Sequence, residues 1–490
     1  MHAVWSSFYG QWRLRSGAVT VLREKQDSPP ERLLQSIWLH QRLCRERLKT
    51  VDGREVRVLH PGFHNREGGP DFKGALIQIG DEPAQTGDVE VDLQAAAWKG
   101  HGHDRNPAFR HVILHVLWER PRAVPGGPPP LVIQDLLDAP LGELSVWLGS
   151  ESGFELPAEL RGKCCAPLSQ LGEAQATDLL HQAARVRLQG KAAGFQARAR
   201  QVGWEQSLWE GLFRALGYKH NVWPMQRVAE LRSRWAGAAE PLTLQARLFG
   251  ISGLLPSELS RAQKGADLYV RRIWDSWWRE RDQFGDCLMP RAAWRLHGLR
   301  PANHPQRRLA LGAHWCWADR LPEALEKWCV CELPRPELVP SLAAALQVGP
   351  DAFWSWHWTF RSSRLSRAQP LLGVTRVTDL AVNVILPWLL IRAEEGGNEG
   401  LARRIETRYF DWPAGEDNAV LRTARQRLFG ASARKGLSGA AAQQGLIQLV
   451  RDFCDHSNAV CEACKLPALV QDWQGSLCAP GPTGSPPIRQ

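Results

Sequence analysis

The sequence predicts an α+β chain, with an α/β domain over residues 28–140 followed by a large, mainly α-helical domain over residues 165–450. Between Gly68 and Trp118, three short runs of alternating or β-branched residues are bounded by Gly, Pro and Asp, the pattern of strands. From about Gln175 onward, apolar residues recur instead at helical spacing, in repeated Trp-bearing amphipathic segments. The 490 residues also exceed what one ordinary core accommodates, at about 150 residues per domain.

Residues 1–27 form an N-terminal extension without a strong pattern. Ser28-Pro29-Pro30-Glu31 then opens a helix, because Ser28 as N-cap with Glu31 three residues later is a capping box and Pro suits the first turn. Leu33, Leu34, Ile37 and Trp38 continue it at helical spacing to about Leu48, and Glu31 and Gln35 share one face. A turn at Thr50–Gly53 precedes a strand at Glu55–His60. Further strands are expected at about 75–79, 87–93 and 111–118, with a His-rich connection before the last. A Pro/Gly-rich loop from Arg122 to Pro130 leads into one more strand around Leu131–Gln134.

In the helical domain, Leu179–Lys191 is built of strong helix formers. Breaks fall at Leu216-Gly217-Tyr218, Leu254-Leu255-Pro256, Arg300-Pro301 and Val348-Gly349-Pro350. A helix over Gly445–Phe453 enters a Cys-rich segment, 451–478. The Pro/Gly/Ser-rich tail, 479–490, is expected to be disordered.

A hydrophobic share of 44% and a charged share of 23% exclude wholesale disorder. The net charge of +10 makes a polyanion such as DNA or RNA a reasonable partner, ahead of an anionic membrane surface. The N-terminus lacks a basic start followed by an apolar run, so no secretory signal is expected. The longest apolar run, Leu380–Ile391, is interrupted by Asn383 and Pro387 and falls short of the ~20 residues a membrane span needs. Eleven Cys without framework spacing fit a reducing cytoplasm. Phosphate-cradling Gly-rich loops and nucleophile elbows are missing from the sequence.

Asp71 opens a strand directly after Pro70, while Glu90 and Asp92, two apart on the next strand, point to one face. If the two strands pair as a hairpin, the three carboxylates converge with the ligand type that Mg²⁺ requires. The alternative is that Asp88, Glu90 and Asp92 form a solvated strand face, with Glu31 simply capping its helix. His101 and His103, on a loop containing Gly102, could ligate metal or contact phosphate; imidazole with carboxylate suits Zn, Mn or Fe. His115, within an apolar strand, reads as a core residue.

Cys454, Cys461 and Cys464, with His456 between them, have the soft thiolates that select Zn or an iron-sulfur cluster. His456, Cys478, Cys164 or Cys165 could be the fourth ligand, and the alternative is that the thiols are small buried hydrophobes. Arg300, Arg307 and Arg308 could bind phosphate bidentately; the alternative is that Arg300 and Asn303 only tie helix ends together, and Pro305 is placed to start a helix.

The order of helix, three strands, connection and further strand, with Pro70-Asp71 and Glu90-x-Asp92, resembles the PD-(D/E)XK nuclease superfamily. The resemblance implies a restriction-endonuclease-like core and a metal-dependent nucleic-acid phosphodiesterase. In it, Asp71 and Glu90 would hold Mg²⁺ or Mn²⁺ and Glu31 would be the assisting helix acid. The Lys of that pattern, two residues after the Glu, is Asp92 here. Lys73 or Lys99 could substitute in orienting the attacking water, Lys73 being the better placed. Loss of the Lys leaves a rival function, a non-catalytic nucleic-acid or protein-binding scaffold on a degenerate nuclease fold. A third class is a metal enzyme of small molecules built on His101 and His103.

Over nearly its whole length the chain also resembles a bacterial family, domain of unknown function 2851. Glu31-x-x-Leu-Gln35-x-x-Trp38, Gly69-Pro-Asp-Phe72, Gly87-Asp-Val-Glu-Val91, Trp98-x-x-His-x-His103 and Val112-Ile-Leu-His-Val116 carry the likeness. Arg300-Pro-Ala-Asn303, Asn383-Val-Ile-Leu-Pro387 and the terminal Cys group extend it.

Overall fold

The strand-patterned segments assemble into one mixed sheet. Its strands are β1 (Val56–His60), β2 (Phe63–His64), β3 (Phe72–Ile79), β4 (Gln85–Asp92), β5 (Val112–Leu117) and β6 (Pro130–Val132). The computed structural model describes residues 6–15, 29–65, 69–121, 126–148, 166–238, 240–256, 258, 268–318, 320–430, 439–454 and 464–478. Strand order is β1-β3-β4-β5-β6, with β2 beside β3. The β1–β3 and β3–β4 pairs are antiparallel, whereas β4, β5 and β6 run parallel.

Two details of the sheet decide where side chains point. Phe72 pairs with Val89 but Ala75 pairs with Gly87, so β3 carries one extra residue there. Gly74, at φ +66°, takes the left-handed conformation that such a bulge needs. At Gly87, β5 approaches so closely that a Cβ would lie 2.4 Å from Ile113 Cγ2 and 2.8 Å from the His111 carbonyl oxygen. The two-residue β2 is too short to leave a periodic pattern in the sequence.

The helix Glu31–His40 buries Leu33, Leu34, Ile37 and Trp38, each worth about 1.5–3 kcal/mol of apolar burial. Trp38 Nε1 donates to the Pro61 carbonyl at 3.0 Å, pinning the helix to the turn after β1. This helix stops well before Leu48 because Gln41 adopts φ 49°, ψ 45°, and the Arg42 amide closes back on the Ile37 carbonyl. Leu43 then bridges to Leu137. Pro30 precedes the first turn without a side-chain cap, and Ser28 lies outside the described residues.

The rest of the fold is helical. Helices end at Leu216, Ile251 and Leu346, just before the Gly and Pro breaks, and Pro305 begins the helix Pro305–Ala318. The continuous helical run Val374–Glu395 is long and apolar enough to cross a membrane by length and composition, but 78% of its most apolar window is buried inside the protein. Its middle, Ala381–Ile385, is π-helical. Pro387 lacks the amide that would bond the Asn383 carbonyl, and its ring crowds that carbonyl, which widens the turn before it. Lys191 Nζ donates to the Val382 carbonyl at 3.2 Å and to Asn383 Oδ1 at 2.7 Å.

The chain divides into two compact units, one of Met1–Leu22, Ser145–Gly190 and Phe410–Gln490, the other of Arg23–Leu144 and Lys191–Tyr409. In the first unit a helix, Phe8–Arg15, forms where the sequence shows little amphipathic pattern. Tyr9 and Arg13 from it converge on buried Asp452, the Tyr9 hydroxyl at 2.5 Å and Arg13 Nε at 2.9 Å. The second unit contains the whole sheet. The tail 479–490 lies outside the described residues.

Candidate metal centre

Glu90 and Asp92 sit on one face of β4 and are 6% and 2% exposed, so they do not form a solvated strand face. Asp71 lies opposite them, one residue before β3 begins, and the two strands exchange side-chain bonds there. The Asp71 amide donates to Glu90 Oε2 at 3.0 Å, and the Val91 amide donates to Asp71 Oδ2 at 3.0 Å. From the helix Glu31–His40, Gln35 Nε2 donates to Asp71 Oδ1 at 2.8 Å and to Glu31 Oε1 at 3.3 Å. The hairpin thus brings Asp71, Glu90 and Asp92 together, and the helix sets Glu31 and Gln35 against them.

So much carboxylate in a poorly solvated place carries an electrostatic cost. Burial, reinforced by Asp71, Asp92 and Glu31, pushes Glu90 up to about 9. Asp71 is pushed up to about 7, chiefly by burial, against the Val91 amide and Gln35, which favour its charge. Burial and Asp92 also raise Glu31. A bound cation would offset this repulsion.

The short helix Ala97–Gly100 and the turn after it bring the imidazoles to β4. Gly102, at φ +73°, reverses the chain between His101 and His103. The His103 ring stacks on Phe109 with centroids 3.9 Å apart and meets Trp98 edge-on, leaving its side chain only 10% exposed. Burial lowers its pKa, which keeps the ring neutral. His103 Nδ1 is buried, lies 3.5 Å from Glu90 Oε1 and makes no hydrogen bond among the described residues. His115, on β5, reaches Asp92 Oδ2 through Nε2 at 2.9 Å, while the more exposed His101 places Nδ1 3.9 Å from Asp92 Oδ1. One donor atom each from Glu90, Asp92 and His103 lies within 4.8 Å of the others.

These residues fit a divalent ion: two carboxylates, one neutral imidazole with an orphaned nitrogen, and a layer of partners orienting them. The model of the family described as protein of unknown function, DUF2851, matches residues 31–418. The chain belongs to the DUF2851 family. That match opens on Glu31 and spans every residue of the cluster just described. No curated protein and no solved structure matches the chain.

Other candidate residues of this DUF2851 protein lie elsewhere. Lys73 falls on the bulge, exposed and opposite Phe63 of β2, and it makes no ion pair with the carboxylates among the described residues. Lys99 is likewise exposed. Arg307 and Arg308 are 1% and 4% exposed. Arg307 donates to the carbonyls of Trp354, Gln369 and Pro370, and Arg308 to Leu371 and to Asn303 Oδ1. Their guanidiniums therefore brace the 369–371 segment and are not offered to an external phosphate. Arg300 is exposed. Cys454 and Cys464 are half-buried, while Cys461, His456, Cys164 and Cys165 lie outside the described residues.

The sequence placed Gln35 on the Glu31 face and Trp98 in the family-like run Trp98-x-x-His-x-His103 without giving either a role, and it did not single out Phe109; Trp98 and Phe109 fix the His103 ring. The i, i+4 spacing of Glu31 and Gln35 was the available sign for the first. The spacing of Trp98 before His101 and His103 was the sign for the second, and nothing local marks Phe109.

Proposed function

We propose that this protein is a metal-dependent phosphodiesterase acting on nucleic acid through a nuclease-like core. The convergence of Asp71, Glu90 and Asp92 beside the orphaned His103 nitrogen carries this reading. The antiparallel β3–β4 hairpin with β5 parallel to β4, and a helix acid at Glu31, support the likeness to PD-(D/E)XK nucleases. Mg²⁺ or Mn²⁺ held at this cluster would lower the pKa of a bound water and stabilise charge on phosphoryl oxygens. Glu90 and Asp71 supply the negative charge that retains the ion, and Gln35 fixes the Asp71 carboxylate.

Nucleic acid as the substrate is supported by the +10 net charge and by the outer face of the helix Leu268–Glu280. Arg271, Arg272, Trp278 and Arg279 are exposed there, and the Arg281 guanidinium sits 4.0 Å from the Trp278 ring centroid. Arginine and tryptophan together suit base stacking and backbone contact. On spacing alone, Cys454, Cys461 and Cys464 are proposed to hold Zn or an iron-sulfur cluster, which elemental analysis reads directly.

The exposed position of Lys73 favours a second reading, a nucleic-acid-binding scaffold that has lost catalysis. Assay of single- and double-stranded DNA and RNA with Mg²⁺ or Mn²⁺, beside Asp71→Ala and Glu90→Ala, separates the two. Cleavage by the wild type and none by either variant supports the phosphodiesterase. Binding without cleavage by the wild type leaves the scaffold.

A further inference from the structure

The four acids could be satisfied by any hard dication, but the arrangement of their free oxygens is selective. Both Asp71 oxygens already accept hydrogen bonds, from Gln35 and from the Val91 amide. Glu90 Oε2 is taken by the Asp71 amide and Asp92 Oδ2 by His115. Of the oxygens left on Asp71, Glu90 and Asp92, Glu90 Oε1 and Asp92 Oδ1 face imidazole nitrogens, of His103 and His101 respectively. His103 is held rigidly by Phe109 and Trp98, and its Nδ1 is buried without a hydrogen bond among the described residues. A buried imidazole nitrogen that makes no hydrogen bond is open to metal ligation in the tautomer that leaves it unprotonated.

We propose that Glu90, Asp92 and His103 form a mixed carboxylate–imidazole centre for a first-row transition dication such as Mn²⁺ or Fe²⁺, rather than an all-oxygen Mg²⁺ site. Imidazole binds Fe²⁺, and to a lesser degree Mn²⁺, more tightly than it binds Mg²⁺. His115 orients Asp92 from behind, and the exposed His101 stands at the open side, where a further ligand or substrate would enter. The inference rests on the metal-dependent reading of this site but not on any cleavage activity.

The test uses the full-length protein and Mn²⁺, an ion that thiolates bind weakly, so the Cys segment contributes little. Pulsed EPR of the Mn²⁺-loaded wild type should show ¹⁴N coupling from a ligating imidazole. Calorimetric titration should show Mn²⁺ bound more tightly than Mg²⁺. His103→Phe keeps a ring against Phe109 but removes the nitrogen, and it should weaken Mn²⁺ binding on the order of 10–100-fold while changing Mg²⁺ binding by about twofold or less. No ¹⁴N coupling in the wild type, or equal Mn²⁺ affinity in a folded His103→Phe protein, overturns the proposal. If that variant does not fold, the wild-type ¹⁴N coupling alone decides. Nuclease assays are read separately: nitrogen-ligated Mn²⁺ without cleavage sinks only the phosphodiesterase reading, and Mg²⁺-driven cleavage unaffected by His103→Phe sinks only this one.

Discussion

Asp92 on β4 and His115 on β5 face each other across a parallel strand pair, Oδ2 2.9 Å from Nε2, with side chains 3% and 2% exposed. A buried acid and a buried imidazole thus meet in the seam between β4 and β5.

Removing one partner of this pair should be costly. His115→Phe leaves the buried Asp92 carboxylate without its nearest partner, which is expected to lose about 3 kcal/mol of stability in urea unfolding. Adding Asp92→Asn should recover part of it, a coupling that the double-mutant cycle measures. Strictly additive losses would show that the two side chains do not act as a pair.

The raised carboxyls give a pH dependence whose sign can be worked out. Glu90 goes from an ordinary 4.5 to about 9 and Asp71 from 3.8 to about 7, so the folded state holds these protons more tightly than the unfolded one. Their contribution is therefore complete below about pH 4 and is lost as pH rises through about 7 and then about 9. Metal-free protein should lose melting temperature across that window, and Mn²⁺ should raise it more at the alkaline end. Glu90→Gln should flatten the upper part. A melting temperature independent of pH between these values, with or without metal, would contradict the burial of the two acids.

Gly87→Ala should act on the site through the backbone. The added methyl would meet Ile113 and the His111 carbonyl, forcing β4 and β5 apart. The expected cost is about 1–3 kcal/mol, with weaker Mn²⁺ binding because Asp92 moves away from His115. Wild-type metal affinity in this variant would mean that the β4–β5 spacing does not set the site.

Lys73→Met is expected to leave cleavage within about twofold of wild type, since the ammonium is exposed and unpaired with the acids. A loss of a hundredfold or more would instead make Lys73 the water-orienting group.

Trp278→Ala should weaken binding of single-stranded DNA or RNA by about 1–3 kcal/mol if its ring stacks on a base. Fluorescence anisotropy with a labelled oligonucleotide measures this, and unchanged affinity removes the helix Leu268–Glu280 from the interface.

Much of the site was legible. Strand parity put Glu90 and Asp92 on one face, and the hairpin brought Asp71 to them. The same parity rule misled at Lys73, because the bulge at Gly74 inserts a residue that no periodicity announces. The helix end at Gln41 depends on a left-handed residue that is not glycine, and so left no mark in composition. Arg307 and Arg308 look like surface charge in sequence; only the fold shows their guanidiniums occupied by backbone carbonyls. The burial of His103 is likewise tertiary, made by Trp98 and Phe109 packing against its ring.

Every carboxylate and imidazole of the centre falls between Glu31 and His115, in the first quarter of the chain. The pairings that create it, β3 with β4 and β4 with β5, join stretches close in sequence and so close small loops. On the ribosome these residues emerge before most of the helical part has been synthesised, and domains tend to fold in order of emergence. Because the sheet shares its compact unit with Lys191–Tyr409, and a domain folds as a unit, the centre reaches its final geometry only once those helices have been made.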